Sequence, residues 1–417
     1  MRQYSGKVTL TSGSGGAFRP GNHGSGTFSY HLHGGILELS STGGNATFSL
    51  GFNDSTGAPK GYLYVYPGAQ FIARSAYGFL GRYQKDSGYL YVRGGSVSMP
   101  RSGVDLRVGT EGNGVCVVSD GGTVEVNGTV SVLRNSSYTG RTGTLSVFTN
   151  GMVKARAFFS ACTNDTATLV LDGGTLVANT SAEADFLYGF TVASVGVGGA
   201  TVDTAGFDLK VSQDFAARDG QTWDVDGTAA ALAAAPAFTK VGAGTLTLHG
   251  TNTYLCATCV SNGTLAVTDA QSLPATTTLR VATNAVVDLS EKSHTVANLM
   301  GSGLVTNGTL TVTGTVWPGY PDAGTLTVNG ATLAPAKLAY VLGEDGTCGQ
   351  LAVNGPLDLT GVEIAVDNLA NKGKGSLTLV TAGSITGTPT CSQQGVVLVV
   401  TGSSLYLGVQ GTTVIFR

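Results

Sequence analysis

Four groups of residues in this 417-residue chain have types and spacings that suggest chemistry. Cys256-Ala-Thr-Cys259 has the spacing of a redox pair or of half a zinc site. Zinc needs four ligands, and no second Cys pair or close His pair accompanies this one. A redox pair would open a helix of a βαβ unit, a pattern the chain does not show. The two therefore read as incidental cysteines, with a local disulfide as the second reading. His31-Leu-His33, with His23 upstream, puts two imidazoles on one strand face, which is open to a metal. Solvated surface histidines are the simpler expectation. Asp203, Asp208, Asp214, Asp219, Asp224 and Asp226 form an acidic run containing Lys210 and Arg218. Clustered carboxylates with calcium and a base would suit proton abstraction beside a uronate carboxylate. The full calcium-loop spacing is missing, so acidic loops are expected. Tyr62, Tyr64 and Tyr66 alternate with Leu63 and Val65, and Tyr89, Tyr91 and Arg93 follow 27 residues after Tyr62, Tyr64 and Tyr66. Aromatic rings beside a guanidinium can form a carbohydrate or partner surface. The plainer alternative is a ring ladder that only stabilises one face.

Positioning such groups is the task of a repeat. Gly61-Tyr-Leu-Tyr-Val65, Gly88-Tyr-Leu-Tyr-Val92, Gly114-Val-Cys-Val-Val118, Gly143-Thr-Leu-Ser-Val147 and Ala167-Thr-Leu-Val-Leu171 start 27, 26, 29 and 24 residues apart. Each alternates with period two, the mark of a strand with one buried face. A small-residue turn then leads to a second apolar position: Phe71, Val97, Val124, Val153 and Leu176. No single unit can bury its apolar face alone, whereas stacked units form a continuous core. The inward columns are then Leu63, Leu90, Cys116, Leu145, Leu169, and Val65, Val92, Val118, Val147, Leu171, and the five second positions. Similar segments recur as Gly244-Thr-Leu-Thr-Leu248, Asn262-Gly-Thr-Leu-Ala-Val267, Asn307-Gly-Thr-Leu-Thr-Val312 and Gly324-Thr-Leu-Thr-Val328. The expectation is an all-β, right-handed parallel β-helix, a single-stranded solenoid with a C-terminal cap. At about 4.8 Å per coil, roughly 15 coils make a rod of about 70 Å. β-Sandwich modules would need a longer repeat.

Composition agrees. Glycine is 63 of 417 residues, proline only 11, charged residues 12% and hydrophobic residues 42%. High glycine without a Gly-X-Y period excludes collagen. The apolar share and a net charge of −3 exclude a solvated, disordered chain. No apolar stretch is long enough for a transmembrane helix. Residues 1–110 hold 10 Lys/Arg against 4 Asp/Glu, and the remainder 13 against 22. The basic excess never forms a run, so nucleic-acid binding is not expected. Six cysteines are too few for a disulfide scaffold. Asn-X-Ser/Thr triplets at Asn45, Asn127, Asn135, Asn164, Asn262 and Asn307 read as turn chemistry. Met1-Arg2-Gln3-Tyr4 lacks an apolar h-region, so the chain reads as a fragment, or a mis-started frame, of exported material.

Phe238-Thr-Lys-Val-Gly-Ala-Gly-Thr-Leu-Thr-Leu248-His-Gly-Thr-Asn-Thr-Tyr254, followed by Val260-Ser-Asn-Gly-Thr-Leu-Ala-Val267, resembles the autotransporter-associated β-strand repeat. Leu106-Arg-Val-Gly109 to Gly121-Gly-Thr-Val124 is similar to the looser Gly-rich repeats found beside it. Leu377 to Thr388 resembles the segment near the end of such passenger domains. The resemblance implies a β-helical, exported bacterial passenger, such as an adhesin or surface protein, with no catalytic residues to carry over. No translocator barrel follows the repeats in this chain, so another export route is an equal expectation.

The expected organisation is Gly-rich coils over 1–226, coils with the autotransporter-associated repeat over 227–335, and final coils with a cap over 336–417, as one solenoid. Thr228-Ala-Ala-Ala-Leu-Ala-Ala-Ala-Pro236 should form a helical turn or loop bulging from it. The expected function is structural or adhesive, without catalysis, cofactor or metal, at the bacterial cell surface or secreted. Partners are expected among glycans or host and cell-surface proteins, with the protein a monomer. Tyr62, Tyr64, Tyr89, Tyr91 and Arg93 are the candidate binding residues. The rival reading is a carbohydrate-active β-helix enzyme such as a polysaccharide lyase.

Overall fold

A computed structural model describes residues 1–409 except 13–16, 21–24, 42–45, 53–56, 75, 135–137, 182–184 and 374. Asn45, Asn135, His23 and the expected last strand, Val414–Phe416, lie outside the described residues. The chain divides into two compact units, Met1–Gln221 and Thr222–Arg417. It is a parallel β-helix, almost entirely strand.

In the first unit, nine parallel strands stack in chain order, among them Lys60–Val65, Ser87–Arg93, Asn113–Ser119, Thr142–Phe148 and Thr166–Asp172. Two more parallel ladders complete each coil, for example Ser96–Met99 on Thr123–Val126 and Leu106–Val108 on Val130–Val132. The expected inward columns are in register: Leu63 with Leu90, Leu90 with Cys116, Cys116 with Leu145, Leu145 with Leu169. The second column, through Val65, Val92, Val118, Val147 and Leu171, holds the same register. The third runs from Phe71 through Val97, Val124 and Val153 to Leu176. All fifteen side chains are buried, and each buried Val or Leu contributes about 1.5–3 kcal/mol before the entropy cost.

Two uses of glycine shape the coil. Gly68, Gly94, Gly121, Asn150 and Gly173 all take positive φ at the turn after the repeat strand, where a side chain is disfavoured. Gly61, Gly88 and Gly114 begin the strand at a corner where backbone meets backbone. A Cβ there would lie 2.2 Å from the Gly51 nitrogen, 2.3 Å from the Leu50 carbonyl oxygen and 2.1 Å from the Gly109 nitrogen, respectively.

The second unit opens with helix α1, Ala229–Ala234, whose N-cap Thr228 accepts the Ala231 N–H at 3.3 Å. Six residues are too few to hold a free helix. Packing holds this one: Leu232 is buried with Met300, Trp317 and Ala339. Beneath it, Ala237–Val241 pairs with Ala257–Val260, and Thr245–Leu248 with Thr264–Val267. The stack ends with a change of direction. Ser404–Val409 runs antiparallel to both Leu377–Thr386 and Val396–Val400, which closes the parallel ladder.

Candidate functional site

Period-two alternation turns residues 62, 64, 89 and 91 away from the core, since Leu63, Val65, Leu90 and Val92 are buried. Register stacks Tyr62 on Tyr89 and Tyr64 on Tyr91. The ring centroids lie 4.4 and 5.0 Å apart, with planes within 6° and 9°. The strand Thr27–Leu32, one coil earlier, extends both columns by setting His31 against Tyr64. His31 stacks on Tyr64 at 4.5 Å, His33 on Tyr66 at 4.4 Å, and Tyr4 on His33 at 4.9 Å. The result is a plate of three ring columns, with Arg93 exposed at one margin, 5.7 Å from the Tyr91 centroid.

The two histidines are thus half-buried in the plate rather than solvated as the sequence suggests. Their coil escapes the 24–29 residue repeat because His31 and Tyr64 are 33 residues apart. Alternation of Tyr30 and Leu32 with His31 and His33 is the signal that locates them.

Orientation decides what the plate can do. Neighbours within a strand are also nearly parallel, 4° between Tyr62 and Tyr64 and 12° between Tyr64 and Tyr66. Ring faces therefore point at adjacent coils, and ring edges, hydroxyls and imidazole nitrogens meet solvent. Such a surface recognises by hydrogen bonds more than by face-on sugar stacking. The His31 Nδ1 and Tyr66 hydroxyl are already 3.2 Å apart. Burial raises the pKa of Tyr62 and Tyr91, helped by the neighbouring phenols, so both remain donors at neutral pH. Burial, then Arg2, His33 and the N-terminal amine, lowers that of His31, favouring a neutral ring. The columns then lose their rings: Tyr89 is followed by Val115 and Tyr91 by Val117.

The remaining candidates disperse. All six cysteines are free. Cys256 is buried, while Cys259 stands in an outward column between Thr239 and Arg280. Burial pushes the Cys116 thiol up to about 12, which leaves it an inert core group. In the acidic run, Asp203 and Asp226 accept the N–H groups of Ala205 and Thr228, two residues on. Arg218 pairs with Asp172 at 2.6 Å and Lys210 with Asp185 at 3.4 Å, both acids outside the run. Among the described residues, no group of three or more His, Cys, Asp or Glu is placed to hold a metal, and no helix is long and apolar enough to cross a membrane.

The second unit carries the other signature. Phe238 and Tyr254 stack inside the core at 5.4 Å, and the Tyr254 hydroxyl is 2.8 Å from that of Thr258. Buried Lys240 donates to the carbonyls of Gly242 and Asn262, tying one coil's turn to the next. No curated protein matches the chain. The family that does match is the passenger-associated-transport-repeat, over residues 238–267, so this pair of stacked coils is an autotransporter passenger-associated repeat.

Proposed function

We propose that the protein is an exported bacterial surface protein of the adhesion type, binding through the aromatic–imidazole plate of its first unit. The observation that carries this reading is the plate itself: three ring columns over neighbouring coils, ending abruptly at Val115 and Val117. A ladder that only stabilised the sheet would have no reason to stop there. Tyr62, Tyr64, Tyr89 and Tyr91 supply hydroxyl edges, His31 and His33 supply imidazole edges, and Arg93 supplies a cation at the margin. Hydroxyl-rich glycans, or polar faces of cell-surface proteins, suit such a set. Affinity per contact is low and grows by repetition along the columns. The passenger-associated repeat supports export and display. The reading includes no catalytic step, because Lys210 and Arg218, the bases available to the acidic run, are held by Asp185 and Asp172.

The test compares the wild type with a Tyr64→Ala/Tyr91→Ala variant on a glycan array and on immobilised cell-surface proteins. Loss of binding by the folded variant is expected. Unchanged binding by a variant of native circular dichroism would reduce the plate to packing.

A further inference from the structure

A second outward column of the first unit lies on the ladder of short strands that ends each coil, away from the sheet bearing the plate. Register places Arg107 between Phe79 and Ser131, Ser131 against Phe159, and Phe159 against Tyr188. Beside this column opens a cavity of about 230 Å³, lined in part by Asp105, Arg134, Arg156, Phe159, Asp185 and Tyr188.

Its charges do not balance. Asp105 accepts the Thr129 N–H at 3.0 Å and hydroxyl at 2.9 Å, and the Arg134 guanidinium at 2.5 Å. Arg107 is 3.8 Å from the same carboxylate. Asp185 accepts the Ser212 hydroxyl at 3.0 Å and faces Lys210 at 3.4 Å. Two carboxylates thus stand among four cations, Arg107, Arg134, Arg156 and Lys210, leaving a surplus of two positive charges. The Arg107 Nε is buried without a hydrogen-bond partner. Burial and then the nearby Arg134 disfavour its charge, a crowding that a bound anion relieves. Phe159 and Tyr188 stack at 5.3 Å within 8°, forming an apolar wall with a phenol at its rim.

We propose that this cavity binds one residue of an anionic polysaccharide, with its carboxylate or sulfate group on Arg134 and Arg156 and its hydroxyls on Asp185 and Tyr188. Three features select this class. The volume lies below the roughly 300–1,000 Å³ of drug-sized pockets, which suits a single sugar ring. Paired guanidinium groups suit a planar or branched oxyanion. Asp185 asks for a ligand that also donates hydrogen bonds, which a sugar does and a phosphodiester backbone does not. The site is independent of the plate, and either can fail alone.

Titration calorimetry on the full chain tests it, using a galacturonate trisaccharide, a sulfated oligosaccharide, a neutral oligosaccharide and a single-stranded oligonucleotide. Binding of the uronate or the sulfated sugar is expected, and which of them binds identifies the anionic group. Added salt should weaken it. Arg156→Gln should weaken binding about tenfold or more. Asp185→Asn should also weaken it, whereas indiscriminate polyanion attraction would be strengthened by losing that negative charge. Tyr64→Ala/Tyr91→Ala should leave it unchanged. Unfolding midpoints equal to wild type qualify each variant, and Arg156→Gln and Asp185→Asn change different parts of the site. No binding of either anionic sugar, equal binding of the neutral sugar or the oligonucleotide, or unchanged affinity in Arg156→Gln overturns the proposal.

Discussion

Two outward columns, one in each unit, begin alike and end differently. In the first unit, His31, Tyr64 and Tyr91 stack on the open face of a parallel sheet, followed by Val117. In the second, Thr239, Cys259, Arg280, Met300 and Trp317 stack in the same manner. There the column turns apolar and helix α1 lies over it, burying Met300 and Trp317 beneath Leu232. Arg280 stands at the changeover, donating to the Leu232 carbonyl at 3.3 Å and so capping the helix C-terminus. A β-helix thus has two ways to treat large outward side chains. It can cover them with a local segment, or stack them on each other and leave their edges wet. Only the second leaves a surface able to meet a partner.

The comparison breaks if the inward columns differ between units, and this test carries the largest effect. Leu145→Asp and Leu265→Asp should each cost several kcal/mol, since both side chains are fully buried and neither site offers a counter-charge. Denaturant unfolding of the two variants measures it, and a mild effect in either would mean that its column is not core. Next in size, Leu232→Ala should cost about 2–3 kcal/mol and free α1. In a Trp223→Phe background, Trp317 emission should move to the red; an unmoved spectrum would show that α1 does not cover the column. A smaller, graded effect belongs to pH. His294 is buried in the second unit, and burial lowers its pKa from the ordinary 6.5. The unfolded chain therefore takes up a proton that the folded chain resists. Stability from this group is complete above about pH 6.5, shrinks as the pH falls, and levels off below the lowered folded value. Amide exchange across Val286–Val296 should quicken between pH 7 and pH 5 by more than the intrinsic rates explain, and His294→Leu should flatten the change. The smallest effect is Tyr64→Ala, about 1 kcal/mol, because a stacked ring with wet edges contributes little beyond its pair contacts. A loss as large as that of Leu232→Ala would make the plate a structural brace.

The inward architecture was legible because period-two alternation and a nearly constant step both report burial, and burial is what stacking enforces. The turns at Gly68, Gly94, Gly121, Asn150 and Gly173 were legible for a related reason, since positive φ restricts residue choice. The His31 coil was not, because 33 residues separate it from the next and the step no longer repeats. Nor was the orientation of the plate: alternation gives the side of the sheet on which a ring lies, and only stacking distances give the direction it faces. The Arg134–Asp185 cavity left no local trace. Its strands, such as Phe158–Phe159 and Leu187–Tyr188, are too short for periodicity to register. Its charged groups come from separate coils, and only stacking gathers them.

The corner glycines carry one more consequence. Because Gly61, Gly88 and Gly114 admit no Cβ, the closest approach inside each coil has a single residue as its solution. The turns between strands meet no such limit, and repeat lengths from 24 to 29 residues stack in one register. Heritable variation is thereby channelled. Insertions and new side chains can accumulate in the loops while the corner stays invariant, so a lineage can exchange one recognition surface for another without solving the folding problem again.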